Sequence, residues 1–352
     1  MFPYWLMFIL PAVAAVFPQK SSRTLQLFLL LLTGIFYSII IGLRHDVGAD
    51  WFNYLGIYEM IASPPLGSAV NNSWGGGDLG YIALNQLMSF MGLGIYGVNL
   101  VCGAVFMSGV IAFAYRQPFP WLAIGVAVPY LIVVVAMGYT RQSVALGLVF
   151  WGMAILRDGH ILRYAMIIVI AALFHKSAVL MLPFGFLVSS ARGRWSNIFI
   201  LGGSSIIFAI VFLQAHYESL WHQYVEADMV SEGGEIRLLM NVAAAGAMFI
   251  FWKRWKRAFP DYKLWFWVAL LSIACLGLVG FASTAVDRVA LYLAPLQIVV
   301  YSRLPILIQD TMLRTVAVIA IISGYAAVLW VWLNHANHAF RWLPYDNLLF
   351  QW

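Results

Sequence analysis

Six basic side chains stand apart from the other bases of this chain, and all six could bind an anion. Guanidinium groups donate paired hydrogen bonds to phosphate oxygens, and an ammonium group adds a compact charge. Isolated arginines among apolar segments are therefore typical of sites that bind phosphorylated substrates. For most of these residues the sequence favours an anionic, lipid-linked substrate. They are Arg44, Arg141, Lys176, Arg237, Arg288 and Arg341.

The first of them begins a polar run after an apolar stretch that ends near residue 43. Gly48 permits a tight backbone turn there. If a helix follows, Asp50 and Tyr54 share one of its faces, because side chains four positions apart align. The alternative is that Arg44 pairs with Asp46 and only ends a helix.

Arg141 opens another apolar stretch, directly after Gly138-Tyr139-Thr140. The free N–H groups of a helix N-terminus favour an anion, so a cation there is unfavourable unless something negative joins it. His175 and Lys176 lie between two short apolar stretches. A membrane histidine is often just a hydrogen-bonded core residue, and that alternative is equally open here.

Asp287 and Arg288 are adjacent, and Tyr292 follows Arg288 by one helical turn. Ionisable groups in membrane spans are costly and usually face the interior of the bundle, so each is a candidate site residue. The alternative is that the two opposite charges neutralise each other.

The remaining two bases have simpler interpretations. Arg237 begins a span after a very acidic loop, which predicts a salt bridge to Glu235 or Glu232. Arg341 lies near Asp346 in the C-terminal tail and is predicted to be solvated surface.

The amino-acid composition indicates that these residues belong to a membrane protein. The chain is 63% hydrophobic and only 10% charged, with a mean hydropathy of +0.87. A helix needs about 20 apolar residues to cross the membrane, and such stretches recur along the whole chain. We therefore predict an all-α polytopic membrane protein with a single domain over residues 1–352. The net charge of +6 marks topology rather than nucleic-acid binding.

The hydropathy pattern predicts about 11–12 transmembrane helices. The candidate spans are 3–18, 25–43, 95–114, 119–138, 140–156, 161–174, 177–190, 196–214, 237–252, 263–283, 286–303 and 315–333.

Loop charges predict how these spans are oriented, since cytoplasmic loops carry the excess of Lys and Arg. One assignment places 14 of the 20 bases inside and leaves 11 of the 14 acids outside. It puts the long loops 44–78 and 215–236 on the outer side. The predicted cytoplasmic segments are 19–24, 115–118, 157–163, 191–195, 253–263 and 303–314.

Two segments do not fit simple crossings. Residues 80–94 are apolar but short, which favours a re-entrant or interfacial helix on the outer side. Residues 161–190 must cross twice to preserve the charge pattern, which favours two short helices meeting at Phe174-His175-Lys176-Ser177. Broken helices at membrane depth often line a binding site.

The ordered set of these features resembles the EpsG family of Wzy-like polysaccharide polymerases. The resemblance extends from about residue 44 to residue 292. In place of a Glu-Pro-Gly-like start to the short helix, this chain has Gly77-Asp78-Leu79-Gly80-Tyr81. The matching positions are Arg44, Val47, Gly48, Asp50 and Tyr54, then Arg141-Gln142, then Phe174-His175 and Ser177 with Pro183, and finally Asp287-Arg288 with Tyr292.

The resemblance implies a GT-C-like glycosyltransferase of the bacterial inner membrane with its site facing the periplasm or cell exterior. It would join oligosaccharide repeat units carried on undecaprenyl pyrophosphate, as both donor and acceptor, with a chain-length regulator as a further partner. We expect neither a cofactor nor a metal. The expected pyrophosphate clamp is Arg44, Arg141 and Arg288 with Lys176; the expected base is His175 or else Asp50; glycan contacts or positioning fall to Gln142, Tyr54, Asp287, Tyr292 and Trp51.

Other functions stay open on the sequence. A flippase or transporter for a lipid-linked sugar shares basic residues and broken helices, but it needs polar access from both sides. A membrane-bound acyltransferase would place its histidine toward a cytoplasmic acyl donor. An O-antigen ligase shares the chemistry of a polymerase, and residues alone do not separate the two.

Overall fold

The computed structural model describes residues 1–17, 22–62, 78–156, 158–185, 203, 234–280 and 283–350. Within these ranges the chain is helical, with no strand and a single bridge between Arg44 and Asn347. The helices are α1 Phe2–Val16, α2 Arg23–Gly42, α3 Trp51–Ala62, α4 Leu79–Phe90, α5 Gly94–Tyr115, α6 Pro120–Gly138, α7 Thr140–Leu156, α8 Ile161–Phe174, α9 Gly234–Ile250, α10 Trp252–Ala258, α11 Tyr262–Leu278, α12 Ser283–Leu293, α13 Pro295–Arg303 and α14 Thr311–His335.

The described part of the chain confirms an all-α polytopic membrane protein. Five of its helical segments are long and apolar enough to cross a membrane: α2, α5, α6, α14 and the segment Val286–Leu307 that contains α13 and most of α12. The pair α9 and α10, bent by 83°, makes a sixth span if counted together. Four shorter helices, α1, α7, α8 and α11, are also apolar. The predicted span 196–214 and most of the loop 215–236 lie outside the described residues.

Helix α6 forms the centre of the bundle and is buried along most of its length. Its middle, Val128–Val135, is a π-helix. Pro129 has no N–H to donate, which removes one bond of the regular helical pattern and favours such local widening. This widened stretch carries Tyr130, whose ring faces the guanidinium of Arg237.

Two predicted irregularities are present in the structure. Helix α4 has 12 residues, so at 1.5 Å per residue it is roughly 18 Å long and too short to cross. Helix α8 ends at Phe174, His175 is extended, and a 3-10 turn follows over Lys176–Met181. The predicted span 286–303 is confirmed as a span candidate, because α12, α13 and the short turn after them form one segment of membrane length, Val286–Leu307.

Several segments predicted to be cytoplasmic come together at one end of the bundle. Arg116 pairs with Asp158, and Arg303 bonds to both Gln117 and Asp261. Helix α7, 17 residues and roughly 25 Å long, separates this end from Arg141. The charge pattern therefore grouped these loops at the same end; the side of the membrane on which they lie stays a prediction.

Candidate functional site

The loop between α2 and α3 is held in place by a buried arginine. Arg44 is only 1% exposed. Its guanidinium donates to the carbonyls of Ile41 and Val47 and to the Thr140 hydroxyl at 3.0 Å. Among the described residues it makes no ion pair with Asp46, so that alternative is wrong. Arg44 thus ties the loop to the first residue of α7.

Gly48 makes the turn that the sequence predicted. Its φ of +109° lies in the region that favours glycine. A Cβ at this position would lie 2.2 Å from the Met137 carbonyl oxygen. The Gly48 N–H donates to the Arg341 carbonyl at 2.8 Å. The turn therefore fits between the end of α6 and the C-terminal segment.

The C-terminal segment, residues 339–350, closes over this loop. The His45 N–H donates to the Asp346 carbonyl, and the Leu348 N–H donates to the Leu43 carbonyl. Trp342 is buried and donates from Nε1 to the Val133 carbonyl. The Arg341 side chain is exposed, as predicted. The backbone around it nevertheless belongs to the scaffold of the site.

Three side chains from separate elements meet beside this loop. Asp78 precedes α4, Arg141 lies in the first turn of α7, and His175 lies in the break after α8. Arg141 Nη1 donates to Asp78 Oδ2 at 3.1 Å, and the same oxygen lies 3.9 Å from His175 Nδ1. Asp78 thus supplies the negative charge that a cation at a helix N-terminus requires.

Several buried polar atoms at this cluster have no hydrogen-bond partner among the described residues. They include Nε of Arg141, Nε2 of His175 and Nε2 of Gln142. Buried polar groups are normally paired, and an unpaired one costs about 1–3 kcal/mol. Two of these residues, Arg141 and His175, flank the Asp78 carboxylate, an arrangement typical of a ligand-binding site.

Asp50 and Arg288 belong to the same electrostatic environment. Burial raises the pKa of Asp50, while the Asn53 amide and the charges of Arg141 and Arg288 lower it. Burial lowers the pKa of His175; Asp78 opposes this, and Arg288 and Arg141 reinforce it. His175 is therefore favoured in its neutral form, which can accept a proton. Arg288 is exposed at the surface of this region.

Among the described residues, the acidic partner of Arg237 is Asp287. Arg237 donates two hydrogen bonds to Asp287, at 2.8 and 2.6 Å, rather than to the predicted Glu235. Glu232, the second predicted partner, lies outside the described residues. Asp287 therefore joins helices α9 and α12 through Arg237.

The predicted glycan-contact aromatics are mostly buried. Trp51 is 4% exposed and lies beside Arg44, with 5.8 Å from the guanidinium carbon to the ring centre. Tyr54 is 6% exposed, and its ring faces Arg141 at the same distance. Tyr292 is 1% exposed and shares a hydrogen bond with Ser177. These rings line and support the cluster rather than project from it.

Lys176 is half-buried beside His175 and makes no hydrogen bond or ion pair with the described residues. Of the predicted site residues, Arg141 and His175 contact Asp78, and Asp50 and Arg288 belong to the same electrostatic environment. Gln142 follows Arg141 in α7. Arg44 lies behind this group and bonds to protein atoms with all three guanidinium nitrogens.

Asp78 is the residue whose importance the sequence alone left open. Its signal was an acid directly before the short apolar helix, in an otherwise unusual Gly-Asp-Leu-Gly run. The departure from the Glu-Pro-Gly-like pattern obscured that signal. The C-terminal segment gave no signal beyond its aromatic content, because its contacts with the loop are made largely by backbone groups.

The helices and the two charged ends define a multi-span α-helical membrane protein. The family model of the EpsG family matches residues 4–347, and neither a curated protein nor a solved structure matches the chain. The chain belongs to the EpsG family, a family of Wzy-like polysaccharide polymerases. The resemblance seen in the sequence is confirmed.

Proposed function

We propose that this protein joins oligosaccharide repeat units carried on undecaprenyl pyrophosphate, at the periplasmic face of a bacterial inner membrane. The observation that carries the proposal is the convergence of Arg141, Arg288 and His175 on one end of the bundle, around buried polar atoms without described partners. The family supports polysaccharide polymerisation, and this cluster supports the donor class.

In the proposed reaction, an acceptor hydroxyl oxygen bonds to the anomeric carbon of the donor glycan. The bond from that carbon to the pyrophosphate oxygen breaks, and its electron pair leaves with undecaprenyl pyrophosphate. The hydroxyl proton passes to Nε2 of His175, which later releases it to solvent. Asp50 is the second candidate for this base.

Arg141 and Arg288 are the proposed pyrophosphate ligands, with Lys176 as an added point charge. Arg141 directs one nitrogen to Asp78, while Nε is unpaired among the described residues. Fixed guanidinium groups in a partly dry site stabilise the negative charge that develops on a leaving phosphate. This mechanism requires no metal, so we expect activity to survive chelators.

Arg44 receives a different role from that of a phosphate ligand. It is buried, and each of its guanidinium nitrogens already bonds to a protein oxygen. We assign it to positioning, because it joins the Asp50 loop to the helix that carries Arg141.

The test is polymer formation by the purified protein in proteoliposomes supplied with a lipid-pyrophosphate-linked oligosaccharide. Arg141→Ala should lower the rate by roughly 10²–10³-fold while the folded protein is retained, since loss of one electrostatic donor typically costs that much. Arg341→Ala is the matched control, because its side chain is exposed at the same end and contacts the Phe340 ring.

The products separate the competing functions. Movement of the unaltered lipid-linked sugar across the bilayer would identify a flippase, and transfer to a lipid A core acceptor would identify a ligase. Polymer of unchanged length and rate with Arg141→Ala would contradict the proposed role of this arginine. Labelling of a cysteine placed at Ser177 from the outer side tests the orientation and separates this model from a cytoplasmic acyltransferase site.

A further inference from the structure

Asp78 contacts two candidate functional side chains from different parts of the bundle, Arg141 and His175. It is 8% exposed and precedes α4. Its Oδ2 atom receives a hydrogen bond from Arg141 and faces Nδ1 of His175. The three residues come from three separate elements, so the carboxylate joins parts of the bundle that the chain does not connect locally.

The position of this carboxylate is fixed by close packing of its helix. A Cβ at Gly80 would lie 3.1 Å from the Leu173 carbonyl oxygen and from the Phe174 ring. The first turn of α4 therefore packs closely against the last turn of α8. This contact places Asp78 beside the break that contains His175.

The geometry gives the two histidine nitrogens different environments. Nδ1 lies 3.9 Å from the carboxylate, longer than a hydrogen bond but within reach of an ion pair. Hydrogen bonds in substrate-free sites are often long and shorten when substrate binds. Nε2 is buried and has no partner among the described residues. A carboxylate facing Nδ1 favours a proton there and leaves the lone pair on Nε2.

We propose that Asp78 is a positioning residue that orients His175, selects its reactive tautomer and holds Arg141 in place for the donor. This inference rests on the proposed function, because it assumes that His175 accepts the acceptor's proton. The charged groups acting on His175 are Asp78 from the start of α4, Arg141 from α7 and Arg288 from α12. Ser177 and Tyr292 form the neighbouring hydrogen bond.

The test compares Asp78→Asn and Asp78→Glu with the unchanged protein in the proteoliposome assay. Asp78→Asn should lower kcat by roughly 10²–10⁴-fold, the range expected when a base loses its function or its orientation. Asp78→Glu should recover part of the rate, because it restores the carboxylate. Asp158→Asn is the control acid, since it lies at the opposite end of α7 and should leave the rate unchanged.

A double-mutant cycle separates the two contacts of Asp78. In the His175→Gln background, Asp78→Asn should cost clearly less than it does in the unchanged protein, because only its contribution through Arg141 remains. An undiminished additional loss in that background would overturn the assignment to His175 and leave Arg141 as its only target.

The pH profile supplies a readout that a purely structural role would not move. Asp78 raises the pKa of His175, so Asp78→Asn should shift the acid limb of kcat/KM to lower pH. Arg288 lowers that pKa, so Arg288→Ala should shift the same limb to higher pH. An unmoved acid limb in both variants would overturn the inference.

Failure of this inference can be distinguished from failure of the proposed function. If the unchanged protein polymerises its substrate but Asp78→Asn keeps full rate, the inference fails and the proposed function stands. If the unchanged protein makes no polymer, the proposed function fails. The His175 pKa followed by NMR in Asp78→Asn then still reports whether the two side chains are coupled.

Discussion

Each end of the bundle contains an arginine paired with an aspartate, but the two pairs are completed differently. At one end, Arg303 donates to both oxygens of Asp261 at 2.8 Å and from Nε to Gln117. Three aromatic rings surround its guanidinium, the nearest being Phe259 at 4.7 Å. Each of the three guanidinium nitrogens donates a hydrogen bond, and the side chain is 2% exposed.

At the other end, Arg141 donates one hydrogen bond to Asp78, and its side chain is 36% exposed. Its Nε has no partner among the described residues. A saturated, enclosed ion pair holds helices together, whereas an incompletely bonded one can still bind a ligand. An Arg–Asp pair is therefore not by itself a sign of a binding site. What distinguishes the candidate site is that the nitrogens of its arginine are not all hydrogen-bonded to protein atoms.

The largest expected change in unfolding free energy is at the fully bonded pair of Arg303 and Asp261. Arg303→Ala leaves the Asp261 carboxylate, whose side chain is only 11% exposed, without its main partner, which should cost about 3–5 kcal/mol of unfolding free energy. Reversible unfolding in mixed micelles would measure this loss. The activity of the protein that remains folded should be unchanged.

Arg141→Ala is the matched comparison for that measurement. Its loss should appear in the rate of polymer formation, with little change in unfolding free energy. If Arg303→Ala instead kept its stability and lost its rate, the distinction between the two ends would be reversed.

A smaller effect is expected where the loop below the candidate site turns. Gly48→Ala places a Cβ against the Met137 carbonyl and imposes a strained backbone, which should cost about 1–3 kcal/mol for the strain alone. Polymer formation should also fall, because the turn positions Asp50 and Arg44. Thermal unfolding in detergent and the rate of the folded fraction measure the two effects.

Gly56→Ala is the control for this substitution. Gly56 lies inside α3, and a Cβ there meets no atom within 4 Å. This change should be neutral or stabilising by up to about 1 kcal/mol, since alanine is favoured over glycine within helices. Equal losses in the two variants would show that the Gly48 turn has no special role.

The sequence predicted those features that depend on local pattern. The apolar runs located α2, α5, α6, α7 and α14 to within a few residues, because a membrane span must be continuous and apolar. The charge pattern grouped the loops that contain Arg116, Arg303 and Asp261. The break at His175 followed from the same rule, since a single crossing would have reversed every later loop.

Features that depend on tertiary packing were not predictable in this way. Asp78 and Arg141 are 63 positions apart, and Arg237 and Asp287 are 50 apart. No periodicity in the chain identifies such partners. The burial of Arg44 also escaped prediction, because it depends on carbonyls and a hydroxyl that backbone folding brings to it.

The smallest expected change in unfolding free energy is at a second ion pair, which lies at the same end of the bundle as Arg303. Arg116 and Asp158 form an ion pair there at 2.6 Å, but their side chains are 35% and 43% exposed. Exposed pairs contribute about 0–1 kcal/mol, because water screens the charges and two long side chains lose freedom. Arg116→Ala should therefore change the unfolding free energy by less than about 1 kcal/mol, and raising the salt concentration should reduce even that difference. A loss as large as that of Arg303→Ala would mean that the exposed pair is bound as tightly as the enclosed one, and completeness of bonding would no longer explain how the two ends differ.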